Sequence, residues 1–121
     1  MTIKTYRDLA VWNKGRELVK TVYLLTRQFP KEELYGLTSQ LKRAVISVPS
    51  NIAEGHSRSG TKDFIHFISI AIGSLAEVET QILLSLDLGF TKEIDIKEII
   101  SQIHELQRML HALRTSLKGK L

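Results

Sequence analysis

The chain has 121 residues, 43% of them hydrophobic and 25% charged, which suits one domain, residues 1–121, with enough apolar mass for a core. It has no cysteine, so disulfides, thiolate nucleophiles and cysteine-ligated zinc are excluded. A net charge of +4 with a pI near 9.5 permits polyanion binding without demanding it.

No uninterrupted apolar run nears the roughly 18 residues of a membrane span, and MTIKTYRDLAVW lacks the apolar core of a signal peptide. The expectation is a cytoplasmic protein with no membrane partner. In chain order, Thr5 can cap a first helix with Asp8 completing a capping box. A core stripe follows at Trp12, Gly15, Val19, Val22, Thr26 and Phe29. Gly15 costs a helix about 1 kcal/mol against alanine, so a neighbouring helix is expected to approach closely there. Arg16, Lys20, Arg27 and Lys31 form a basic stripe within about 60° of arc. Phe29-Pro30 ends the helix, and residues 31 to 36 connect it to the next.

The second helix carries Leu37, Leu41, Ala44, Val45, Val48 and Ile52 on its apolar face. Gln40, Arg43, Ser47, Asn51 and Glu54 repeat on the polar one, and Gly55 is read as the stop. Pro49 denies the Val45 carbonyl its partner, so the helix either bends or breaks there.

The third helix, about Thr61 to Leu88, starts from Gly60 as its cap and has two apolar seams. One is Phe64, Ile68, Ala71, Leu75, Val78 and Ile82, and the other is Ile65, Ile72, Ala76 and Leu83. One seam suffices for an intramolecular core, so the second points to a subunit interface or to a broad internal contact. Thr91 is the expected cap of a fourth helix, in which Ile96, Ile99, Ile103, Leu106, Leu110, Leu113 and Leu117 alternate steps of three and four.

All four segments share the helical period, and the short connections predict an all-α, antiparallel up-down-up-down four-helix bundle. That topology gathers Lys4, Arg7, Arg58, Lys62, Arg114, Lys118 and Lys120 at one end against Asp8, Glu54 and Asp63. These seven cations are the candidate nucleic-acid-binding residues. The other end collects Arg27, Lys31, Lys92 and Lys97 against Glu32, Glu33, Asp87, Glu93, Asp95 and Glu98. The bundle is therefore expected to be charge-polarised along its axis. Contacts to nucleic acid would be backbone-dominated, since no helix-turn-helix, zinc finger or RNP-type platform occurs. Tyr6 and Tyr23 are open to stacking or to rim packing.

The runs Leu37-Thr38-Ser39-Gln40-Leu41, Ser47-Val48-Pro49-Ser50-Asn51-Ile52-Ala53-Glu54-Gly55 and Gly73-Ser74-Leu75, with Glu77-Val78-Glu79-Thr80-Gln81, resemble bacterial four-helix-bundle proteins encoded in intervening sequences of 23S ribosomal RNA genes. They also resemble the related accessory variability determinants of diversity-generating retroelements. The resemblance extends from Asp8-Leu9 to Arg108-Met109-Leu110. It implies a bundle assembling as a ring, commonly a homopentamer, with proposed nucleic-acid binding, and for the retroelement relatives a reverse-transcriptase partner. Ser47, Asn51 and Glu54 lie in the signature polar stripe, to which the resemblance assigns no catalytic role.

Catalytic readings are weak. A carboxylate-bridged metal pair wants two Glu-x-x-His motifs, and only Asp63-Phe64-Ile65-His66 approaches that spacing. His104 and His111 join Arg108 and Lys118 on one solvated stripe, and Arg43 and Lys42 are candidate partners for Glu77 and Glu79 across helices. No P-loop, nucleophile elbow or dinucleotide fingerprint occurs. No catalytic residue, metal or cofactor is therefore expected. The sequence supports a non-enzymatic nucleic-acid-binding scaffold; the alternative is a protein-interaction adaptor that recruits an enzyme such as a polymerase and does not itself bind nucleic acid.

Overall fold

The period of the apolar residues sets four long helices, and the computed structural model, which describes residues 2–121, has them as α1 (Ala10–Thr26), α2 (Leu37–Ser57), α3 (Thr61–Asp87) and α4 (Glu93–Lys118). Two short 3-10 turns, Tyr6–Asp8 and Lys31–Glu33, precede α1 and α2, and there is no strand among the described residues. One apolar cluster joins all four helices, with Leu18, Val22, Leu41, Val45, Ile52, Ile68, Leu75, Ile103 and Leu110 almost wholly buried. The neighbours are fixed by side-chain pairs. Ser47 meets Ser74 while Gly55, later in α2, meets Phe67, earlier in α3. Glu79 meets His104 while Ser69 meets Arg114, and Lys14 pairs with Glu105 while Gln28 accepts from Thr91.

The heptad seam of α4 packs as its spacing requires, with all but Leu113 fully buried. On α1 the buried surface is wider than the sequence stripe, taking in Val11, Leu18 and Leu25 and leaving Trp12 and Val19 only partly covered. The Thr5 and Asp8 capping box is present, but it closes the 3-10 turn; Leu9, extended, separates that turn from α1. Gly60 does precede α3, in an extended conformation that needs no side-chain cap. The cap expected of Thr91 falls instead to Lys92, because the Thr91 hydroxyl turns away to donate to Gln28 Oε1 at 3.1 Å.

Pro49 does not break α2, which runs through it to Ser57. The close approach expected at Gly15 is with this residue: a Cβ on Gly15 would stand 3.2 Å from Pro49 Cβ. Gly55 is not the left-handed stop that its position suggests. It lies inside α2, where an added Cβ would fall 2.6 Å from Phe67 Cβ, so its missing side chain lets α3 come close. The single positive φ among the described residues is at Gly89, in the turn before α4.

By length and composition alone, helix α3 is long and apolar enough to cross a membrane, as a core helix can be, with mean hydropathy 1.5 over its most apolar 18-residue window, one third of which is buried. No uninterrupted apolar run of that length occurs in it, because His66, Ser69, Ser74, Glu77, Glu79 and Thr80 interrupt the apolar residues. Of its second seam, Ile65 and Ile72 pack partly buried against the internal core, whereas Leu83, 43% exposed, joins Leu86 and, on α4, Ile94, 77% exposed, and Ile100 in an apolar groove.

Gln81 is buried on α3 with its Oε1 unpartnered. Since an unsatisfied buried acceptor costs about 1–3 kcal/mol, Gln81→Met should hold or raise the melting temperature, read by circular dichroism.

Candidate nucleic-acid interface

Three contacts bring the sequence-distant cationic segments together. The Tyr6–Asp8 turn packs against α2, Gly55 packs on Phe64 and Phe67, and Arg114 Nη1 donates to Ser69 Oγ at 3.2 Å. The turn before α1, the end of α2, the start of α3 and the end of α4 thus share one end of the molecule. Lys4 precedes the capping box and Arg7 lies within it, Arg58 follows α2, Lys62 is in the first turn of α3, Lys118 closes α4 and Lys120 lies beyond it.

Two of the seven cations are engaged. Arg58 Nη2 is 2.8 Å from Glu54 Oε2, with its guanidinium 5.1 Å from the Phe67 ring centroid. Arg114 reaches both Ser69 and His111 Nδ1. Lys4, Arg7, Lys62, Lys118 and Lys120 are exposed, with no carboxylate at ion-pair distance among the described residues. Asp8 is occupied: its Oδ2 accepts the amides of Lys4 at 2.9 Å and Thr5 at 3.1 Å, and these bonds hold its carboxyl below the ordinary 3.8. Its stabilising contribution is therefore present above pH 3.8 and is lost as pH falls through the lower folded-state value. A carbon-13 titration of the Asp8 carboxyl should give a midpoint below 3.8; a midpoint at or above it contradicts the capping role.

The polar stripe separates into two parts. Ser47 Oγ is 2.9 Å from Ser74 Oγ on α3, and Asn51 Nδ2 donates to both the Ser47 carbonyl and Ser47 Oγ at 2.8 Å. Ser47 ties α2 to α3, and with Asn51 it brackets Pro49, two residues to either side. Glu54 leaves that cluster and pairs with Arg58. Other expected partners also differ. Glu79 accepts from Gln107 and meets His104 at 2.7 Å on α4, so it is not answered by Lys42 or Arg43; His104 is exposed, as expected, but reaches this carboxylate on α3. Lys42 instead sits 4.8 Å from the Tyr23 ring centroid. Tyr6 packs edge-on against Trp12 at 5.0 Å. No group of three or more His, Cys, Asp or Glu able to hold a metal occurs among the described residues.

Charge is also divided across the sides of the molecule, which summation by ends conceals. The groove between α1 and α2 is lined by Arg16, Arg27, Lys31 and Lys42 with no carboxylate. The groove between α1 and α4 presents Glu17, Asp95, Glu98 and Glu105 against Lys14 alone. At the end of the molecule expected to be acidic, Arg27 and Lys31 therefore lie on one side of α1 and Asp95 and Glu98 on the other, while Glu93 and Lys97 share the groove between α3 and α4. Sequence reasoning found the α1 stripe but missed Tyr35, 93% exposed and next in the chain to Leu34, which lines the basic α1–α2 groove; an aromatic between Leu34 and a helix-starting glycine was the available signal.

No sequence match is found among curated proteins. A solved structure from Bacteroides thetaiotaomicron, described as a protein of unknown function from the S23 ribosomal protein family, superposes with a TM-score of 0.78 at 22% identity. The alignment covers 87% of this chain and 98% of that one, and it bears on the fold alone. The family model for the 23S rRNA-intervening sequence protein matches residues 7–112, nearly the whole four-helix unit. On that match the chain belongs to the 23S rRNA-intervening sequence protein family.

Proposed function

We propose that this chain is a non-enzymatic, cytoplasmic scaffold that binds RNA or DNA through the sugar-phosphate backbone. The observation that carries the reading is the set of exposed cations Lys4, Arg7, Lys62, Lys118 and Lys120, with no carboxylate at ion-pair distance among the described residues, at an end where Asp8 is already held by backbone amides. Solvated lysines and arginines of this kind suit phosphates, whose bound counterions they displace. The reading takes the bundle as antiparallel up-down-up-down, as the Ser47–Ser74, Glu79–His104 and Lys14–Glu105 contacts favour. It takes the assembly as a ring, a homopentamer, in which parallel subunits present their basic ends on one surface. The exposed apolar groove at Leu83, Leu86, Ile94 and Ile100 favours such self-association. The same groove also favours the second reading, an adaptor that recruits an enzyme such as a reverse transcriptase and leaves nucleic acid to its partner.

The test changes Arg7, Lys62, Lys118 and Lys120 to glutamate, sparing Arg58 and Arg114 because both hold intramolecular contacts. Loss of salt-sensitive binding with unchanged helicity supports the scaffold; binding indifferent to these charges contradicts it.

A further inference from the structure

The basic stripe of α1 does not belong to the end surface just described. It forms one wall of the groove between α1 and α2, whose wider part, about 620 Å³, is lined by Tyr23, Arg27, Phe29, Lys31, Leu34 and Lys42. One helical turn further along both helices, Val19 and Ile46 continue the groove to Arg16 and Ser50, in a narrower stretch of about 240 Å³. Four cations thus follow a channel whose floor is apolar and aromatic and whose lining holds no carboxylate. The nearest candidate, Glu33, turns its Oε1 to the Leu37 amide at 3.1 Å. Arg16 and Arg27 are separated along α1 by about 16 Å at 1.5 Å per residue, a span for several nucleotides of an extended strand.

We propose that the α1–α2 groove is the path of a single-stranded nucleic acid, with phosphates on Arg16, Arg27, Lys31 and Lys42 and an unpaired base stacked on Tyr35 or Tyr23. This rests on the nucleic-acid reading above and adds which form of nucleic acid the chain takes and where. A channel combining cations with aromatic faces suits single strands, because stacking on a side chain requires a base released from its pair. Tyr35, almost fully exposed and next in the chain to the groove residue Leu34, offers its ring to a strand leaving the groove. Tyr23, 37% exposed, is covered by Lys42 at 4.8 Å from its centroid; a phosphate that draws the ammonium away uncovers the ring.

The experiment measures anisotropy of a labelled 15-nucleotide oligouridine, an abasic strand of equal length and a duplex, at several salt concentrations, on the full chain. Wild type should prefer oligouridine to the abasic strand. Arg27→Glu with Lys31→Glu and Lys42→Glu should weaken oligouridine binding by about tenfold or more and flatten the salt slope by about 2. Tyr35→Ala should reduce the preference for base-bearing over abasic strand while leaving that slope unchanged. If the triple variant loses helicity, Lys31→Glu alone serves, since both Lys31 and Tyr35 are exposed. Undiminished oligouridine binding by the groove variants, with loss on reversal of Arg7, Lys62, Lys118 and Lys120, overturns the groove and leaves the end surface standing. Equal wild-type affinity for base-bearing and abasic strands, or competition by polyglutamate as effective as by oligouridine, overturns the single-strand assignment. Absence of binding by wild type to all three probes at low salt removes the parent reading itself.

Discussion

Gly55→Ala should lower the unfolding free energy by about 1–3 kcal/mol, visible as a fall in the denaturant midpoint with little change in slope. The added methyl would sit 2.6 Å from Phe67 Cβ and 3.1 Å from Phe64 Cδ1. Phe67 Cβ is bonded directly to the α3 backbone, so no rotamer moves it away and the helices themselves must separate. That strains the α2–α3 interface that includes the Ser47–Ser74 hydrogen bond. Gly73→Ala is the matched control. Nothing lies within 4 Å of a Cβ there, so the change should recover up to about 1 kcal/mol of helix propensity. Opposite signs for two glycine-to-alanine changes would separate close packing from intrinsic propensity. A neutral Gly55→Ala would contradict the tight α2–α3 approach.

Reversing Arg7, Lys62, Lys118 and Lys120 to glutamate should reduce nucleic-acid affinity by on the order of 100-fold and cut the salt slope by about 3, as expected for four lost phosphate contacts. Folding should be unaffected, since these residues are exposed and hold no ion pair among the described residues. The effect should be similar across sequences, because backbone contacts carry no base information. Reversing Arg58 and Arg114 instead would confound the result: each also holds a neighbour, Glu54 or Ser69, in place.

The four helices and their buried seams were legible because apolar period is a local property of the chain. The α4 heptad, the α2 face and the Gly60 start of α3 all follow from it. Local chemistry was also read correctly where its partner is local, as in the Thr5 and Asp8 capping box. What escaped depends on distant segments. Gly55 reads as a helix stop from its neighbours in sequence, and only the nearness of Phe64 and Phe67 reveals it as a packing glycine. Thr91 is a plausible cap until Gln28, brought beside it by α1, takes its hydroxyl. Glu79 was matched to cations on α2, whereas the rotation of α3 turns it to His104 and Gln107.

Electrostatics shows the same division. Counting charges by helix ends requires only connectivity, and the basic end follows from it. The sideways separation, basic between α1 and α2 and acidic between α1 and α4, depends on the rotation of each helix about its axis. That rotation is set by core packing, which the linear charge pattern does not contain. Tyr35 was passed over for a similar reason: it lies in the connection, outside every helical stripe.

The most direct test of the nucleic-acid reading is a titration of wild-type protein against labelled structured RNA, single-stranded DNA and duplex DNA at several salt concentrations. Binding that weakens log-linearly with salt, and that collapses when Arg7, Lys62, Lys118 and Lys120 are reversed, is the predicted result. No binding to any of the three at low salt would contradict it and leave recruitment of a protein partner as the function of the bundle.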